Sequence, residues 1–193
     1  MIPVTPVQEP DDFEVKCGKP GREWLAKHPH AKRPRDLWSQ FRHQLADGFE
    51  NRCGYGAMRI PSGSIDHYLS WKKHPELTYA WGNYRFADGW LNQSKQAADE
   101  RVLDPYEVGE GWFEILLPSL QLVVTDKVPA ALRARAEYTL KRLHLRDDER
   151  VIRQRRAWLE LYEKGMPLEL LAETAPLIAA AISKRDLALG KRK

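Results

Sequence analysis

The chain has 193 residues, of which 42% are hydrophobic and 10% aromatic, enough to bury one core with at most a second small unit beside it. It carries 31 Lys and Arg against 27 Asp and Glu, a net charge of +4 with a pI near 9.0; this suits a phosphate-rich partner without being diagnostic of one. No apolar run is long enough to span a bilayer, MIPVTPVQEP lacks the basic flank and apolar core of a secretory signal, and Cys17 and Cys53 make no disulfide framework, so a cytoplasmic protein is expected.

Pro3, Pro6 and Pro10 predict an extended arm over Met1 to Asp12, for which a poorly ordered terminus is the commoner outcome. In Lys16 to Arg35, KCGKPGREWLAKHPHAKRPR, basic residues interleave with Trp24, His28 and His30. That pattern reads either as a nucleic-acid-facing patch or as a solvated loop with Trp24 anchored in the core. His28 and His30 alternate as a metal pair does, but no third ligand is near. Leu37, Trp38, Phe41, Leu45 and Phe49 recur at helical spacing, predicting an amphipathic helix within Leu37 to Arg52, and Pro61 and Gly63 mark a turn.

Ile65 to Leu69 then reads as a strand, Ser70 to Glu76 as a polar connection, and Tyr79 to Ala87 as a second, aromatic-rich strand. A helix follows from near Asp88 to Glu100, with Asp88 as its N-cap. Asp104 before Pro105 favours a turn. Trp112 to Leu117 and Leu120 to Thr125, separated by Pro118 and Ser119, predict a hairpin. Three apolar periodicities predict helices over Pro129 to Leu143, with Asp126 as a cap, Asp147 to Glu163, and Pro167 to Ser183, the last kinked or interrupted at Pro176. The chain ends in a short basic tail. The class is α+β, with a strand-strand-helix unit flanked by an N-terminal helix and a C-terminal helical group. Residues 1–36 form an arm and basic loop, 37–106 the central unit, and 107–193 a hairpin and helices that join it in one compact body.

The central unit holds the candidate chemistry. Asp66 and His67 on the first strand can face Asn92 on the helix with room for one divalent cation and a phosphate. A hard ion takes oxygen ligands and keeps several waters, so Asp66 and Asn92 would suffice to hold it. His67, whose unperturbed pKa lies near working pH, could take a proton from an attacking water.

DHYLSWKKHPELTYAWGNYRFA, followed by LNQSK and LDPYE, resembles the HNH endonucleases with their ββα-metal unit, and more closely the small HNH proteins of retron-associated and Septu-type phage defence. Their pattern runs Asp-His-Phe, a proline-containing loop, Tyr-x-Trp-x-Asn, Cys-x-x-Cys-Asn-x-x-Lys and Leu-Asp-Pro, and the likeness covers roughly Phe41 to Asp104. The resemblance implies that His67 is the general base, that Asp66 and Asn92 hold magnesium or manganese, and that Asn83 braces the metal loop. Lys95, Arg85, Lys72 and Lys73 would contact nucleic-acid backbone.

Family members carry two Cys-x-x-Cys pairs around a structural zinc. By this match only Cys53 remains, with Gly56, Asp88 and Leu91 at the other three positions, so zinc is improbable. Packing by Tyr55, Trp81, Tyr84, Phe86, Trp90 and Leu91 would replace it. The implied function is hydrolysis of phosphodiester bonds in DNA with little sequence preference, in phage or plasmid defence, beside an ATPase encoded nearby. Two alternatives stand beside it: a degenerate scaffold that binds nucleic acid without cutting, and an interaction protein whose C-terminal helices dock on such an ATPase.

Overall fold

The computed structural model describes residues 1–190, so the last three residues of the predicted basic tail, 191–193, lie outside it. The fold is mixed α+β, with seven α-helices and two small antiparallel sheets among the described residues. Strand β1 is Ser64–His67 and β2 is Tyr84–Ala87, paired so that Ile65 faces Phe86, Asp66 faces Arg85 and His67 faces Tyr84. Helix α3, Gly89–Lys95, follows directly, and Asp88 caps it as expected, its Oδ1 accepting from the Trp90 and Leu91 amides at 2.9 and 3.4 Å. Gln96, at φ +48°, ends that helix well short of Glu100.

Alternation along a strand gives this ribbon two unlike faces. Ile65, His67, Tyr84 and Phe86 share one, which meets an aromatic cluster where Phe13 packs edge-on against Phe41, Trp81 and Tyr84 at centroid distances of 5.1 to 5.8 Å. Ser64, Asp66 and Arg85 share the other, polar yet buried or half-buried beneath α3. Of the six residues expected to replace zinc by packing, Tyr55, Trp81, Tyr84, Phe86 and Leu91 are buried, and Trp90 is half-buried with Arg150 over its ring.

Around this unit lie α1 (Lys19–Lys27) and α2 (Arg42–Gly48), then the hairpin β3 (Phe113–Leu116) and β4 (Gln121–Val124). Four helices complete the chain: α4 (Ala130–Arg142), α5 (Glu149–Glu163), α6 (Leu168–Thr174) and α7 (Pro176–Ala188). Of the two outcomes expected at Pro176, the pattern is interrupted and not kinked. Pro176 begins a separate helix, because its missing N–H and fixed φ suit a first turn. Asp126 does not cap α4, whose N-cap is Pro129 without a side-chain bond; it pairs with Arg133 instead.

Three expectations for the N-terminal part need correction. Lys16 to Arg35 is not all loop, since a π-helical turn over Glu14–Gly18 runs into α1. Trp24 is not anchored in the core but half-exposed, stacked on His28 at 4.4 Å. The arm is not frayed: Met1 is buried, the Val7 carbonyl accepts from Trp81 Nε1 at 2.8 Å, and a Cβ on Gly48 would strike Val7. A single apolar cluster runs from Met1 through Phe41 and Phe86 to Leu140 and Ile182, drawing on all three predicted segments.

Candidate functional site

Both oxygens of the Asp66 carboxylate are engaged. Lys95 Nζ, on α3, donates to Oδ1 at 3.0 Å and to the His67 carbonyl at 2.9 Å, and the Tyr55 hydroxyl donates to Oδ2 at 2.7 Å. Lys95 is 0% exposed and enclosed, while Asp66, 2% exposed, reaches the surface only at its edge. Burial, and next the Asp66 charge, push the Tyr55 hydroxyl well above the usual tyrosine range, which keeps it a donor at any working pH. Lys95 is therefore the counter-ion of Asp66 and does not reach a phosphate, contrary to the sequence expectation.

Arg85 is corrected in the same way. It lies across the ribbon from Asp66 but turns to Asp104, Nε to Oδ1 at 2.6 Å with Nη2 on the other oxygen, and donates to the Gly82 and Tyr84 carbonyls at 2.7 Å. Its guanidinium also lies 3.7 Å from the Tyr106 ring centroid. With 3% exposure it has no surface to offer a nucleic acid. Asp104 also caps its turn by accepting from the Tyr106 amide at 3.0 Å.

His67 sits between two rings, Trp38 at 4.6 Å and Tyr84 at 5.0 Å, both edge-on. Its Nε2 lies 2.9 Å from the Thr78 carbonyl. A carbonyl can only accept, so Nε2 carries the hydrogen and Nδ1 keeps its lone pair. Burial lowers the imidazole pKa below its ordinary 6.5, more than the Thr78 bond and the Asp66 charge raise it. The ring is thus neutral at pH 7, fixed in orientation, and basic at one known atom.

Asn83 does hold a loop. Its Oδ1 accepts from the Leu69 amide at 2.8 Å, and Nδ2 donates to the Leu69 and Leu77 carbonyls at 2.9 and 3.1 Å, clamping both ends of the connection between the strands. Asp99 pins the same loop from the far side, accepting from the Ser70 amide at 2.7 Å and from Lys73 at 2.8 Å. Burial opposes its charge, but these donors hold its carboxyl below the usual range. Lys73 is exposed yet committed to Asp99, while Lys72 is exposed without an ion pair among the described residues.

Asp66, His67, Asn92 and Lys72 line one open cleft of about 430 Å³, with Trp38 and Arg33 on its wall. Sequence reasoning assigned neither of these two to the site. Trp38 was legible only as a core position, and Arg33 only as one charge in a basic run. Asn92 donates from Nδ2 to the Ser64 hydroxyl at 3.0 Å, leaving its amide oxygen without a donor among the described residues. That oxygen and the second lone pairs of the Asp66 carboxylate fit a hard, largely hydrated cation. Lys95 already neutralises Asp66, however, so such an ion would bind weakly until a phosphate adds charge. A second group, His74, Asp99 and Glu100, brings its ligand atoms within 4.8 Å of one another and could hold a metal ion.

Cys53, Gly56, Asp88 and Leu91 come together. Cys53 Sγ accepts from the Gly56 and Asp88 amides, both at 3.3 Å, and a Cβ on Gly56 would lie 3.5 Å from Leu91 Cδ1 and 3.7 Å from that sulfur. Burial pushes the Cys53 thiol up, although the amides of Asp88, Gly56 and Tyr55 act the other way. No family model matches this sequence, and no curated protein matches it.

Proposed function

We propose that the chain is an HNH-type endonuclease that hydrolyses phosphodiester bonds in DNA with little sequence preference, as in phage or plasmid defence. The observation that carries this reading is the neutral, clamped His67 imidazole opening on the same cleft as Asp66 and Asn92. The convergence of Cys53, Gly56, Asp88 and Leu91, which the resemblance placed around one point, supports it independently.

In the proposed reaction, His67 Nδ1 takes a proton from a water that attacks phosphorus in line, the P–O bond to the leaving 3′-oxygen breaks, and solvent protonates that oxygen. Asn83 acts as a positioning residue by fixing the loop that carries Thr78, and Thr78 fixes the imidazole. Asp66 and Asn92 would hold magnesium or manganese, whose positive charge stabilises the phosphate as charge develops on it. Structural zinc has no part, because Cys53 alone among its four positions supplies a thiol. Lys72 and Arg33 remain as backbone contacts, which carry little sequence information.

Supercoiled plasmid incubated with magnesium or manganese should be nicked or linearised, and EDTA should stop it. His67→Ala should slow cleavage by about 10²–10⁴-fold while the protein stays folded; cleavage at the wild-type rate would remove His67 from the reaction. Because the base must be neutral and burial lowers its pKa, activity should persist as pH falls through 6.5 and fade only below that lowered value. A pH profile that breaks above 6.5 would assign the base to another group.

A second reading, docking on an ATPase partner, draws on the C-terminal helices, where Leu161, Leu170 and Leu187 are exposed. Co-purification with an ATPase encoded nearby tests it, and the two readings are compatible.

A further inference from the structure

Beside the His67 cleft lies a second cavity, of about 750 Å³, between α1 with the segment after it and the loop that follows β1. Trp71 and Lys72 line both cavities, so the two are neighbours. The walls of the second are largely apolar, from Leu25, Pro29, Pro34 and Pro75, which suits a flat ring rather than a hydrated phosphate. Its edge is basic. From Lys27 to Arg35 the chain reads KHPHAKRPR, with four Lys or Arg and no carboxylate, and none of Lys27, Lys32, Arg33 or Arg35 makes an ion pair among the described residues. Arg22 on the rim is engaged by Glu14, and Glu76 is the acidic residue there, paired with His74 at 3.5 Å.

The cavity also adjoins the candidate base. Thr78 lies behind its wall, fully buried. The carbonyl of the same residue accepts from His67, so the cavity and the candidate base share a residue.

We infer that this cavity receives one unpaired nucleobase of a single-stranded nucleic acid, stacked on Trp71, so that the adjoining phosphate falls in the His67 cleft. The inference rests on the nuclease reading for the identity of the ligand. A base inside a duplex hides both faces in the stack and enters only once unpaired, as in the melted stretches of a supercoiled plasmid, whereas an aromatic platform with a basic track is the usual means of gripping a single strand.

The test uses the full chain in EDTA, where cleavage is silent, with fluorescence anisotropy on labelled 12-nucleotide strands of thymidine and of uridine and on a 12-base-pair duplex. Single strands should bind about tenfold or more tightly than duplex, and the tighter sugar identifies DNA or RNA as the source. Trp71→Ala should weaken single-strand binding by about fivefold or more without changing duplex binding. Duplex binding as tight as single-strand binding, or wild-type single-strand affinity in Trp71→Ala, would overturn the inference. Single-strand binding without cleavage of any substrate in magnesium or manganese would leave the pocket standing and remove the nuclease reading.

Discussion

Lys95→Met should cost about 3–5 kcal/mol of stability, because it strands a buried carboxylate. Asp66 would keep only the Tyr55 hydroxyl as a donor, in a site with 2% exposure. At this chain length each kcal/mol moves Tm by about 2–4 °C, so a fall of roughly 10 °C is expected by calorimetry. Asp66→Asn combined with Lys95→Met should recover most of the loss, since a neutral pair carries no uncompensated charge. A melting temperature unchanged in Lys95→Met would mean that the ammonium contributes nothing to the folded state. The same variant bears on the cation. With no ammonium beside it to offset its charge, Asp66 attracts a cation more strongly, so Lys95→Met should bind manganese more tightly than wild type does in a calorimetric titration without nucleic acid.

The second large effect is a gain. Gly56→Cys, Asp88→Cys and Leu91→Cys together should give a protein that takes up one zinc ion, with four thiols around the point where Cys53 Sγ now meets two amides. Gly56 can accept the Cβ, whose nearest neighbours would be at ordinary contact distances of 3.5 Å and beyond. Losing the Asp88 cap costs about 1 kcal/mol, and structural zinc returns far more, about 10–16 kcal/mol of apparent binding energy in small zinc-dependent peptides. The triple variant should therefore melt lower than wild type with chelator and higher with zinc. Failure to bind zinc would show that the four positions meet without the geometry of a metal knot.

What the sequence made legible was local. Asp88 before a helix, the Pro118-Ser119 break in a hairpin and Pro176 at a helix boundary each follow from the chemistry of one or two residues, and each is found where expected. What it hid was pairing across distance. Lys95 and Arg85 read as surface cations because such residues are seldom buried, and only their partners Asp66 and Asp104, 29 and 19 positions away, reveal the opposite. The α1 helix was hidden by Pro20 and Gly21. Pro20 is tolerated in a first turn, and Gly21 is required because the Tyr79 ring occupies the space where a Cβ would stand, 2.3 Å away. In the site, the order of Asp66, His67, Asn83 and Asn92 was readable, but Trp38 lies outside the matched stretch, and Thr78, though inside it, acts through a backbone carbonyl that no residue type announces.

The docking of the N-terminal arm bears on the order in which the chain can fold. Val7 finds its partners at Trp81 and Tyr106, 74 and 99 residues downstream, and Phe13 packs against Trp81 and Tyr84. During synthesis Val7 and Phe13 must therefore wait, since their seat does not exist until the central ribbon has emerged and closed. Contacts of such long sequence separation slow folding, and until they form, Phe13, Trp81 and Tyr84 leave one another's faces open to other chains.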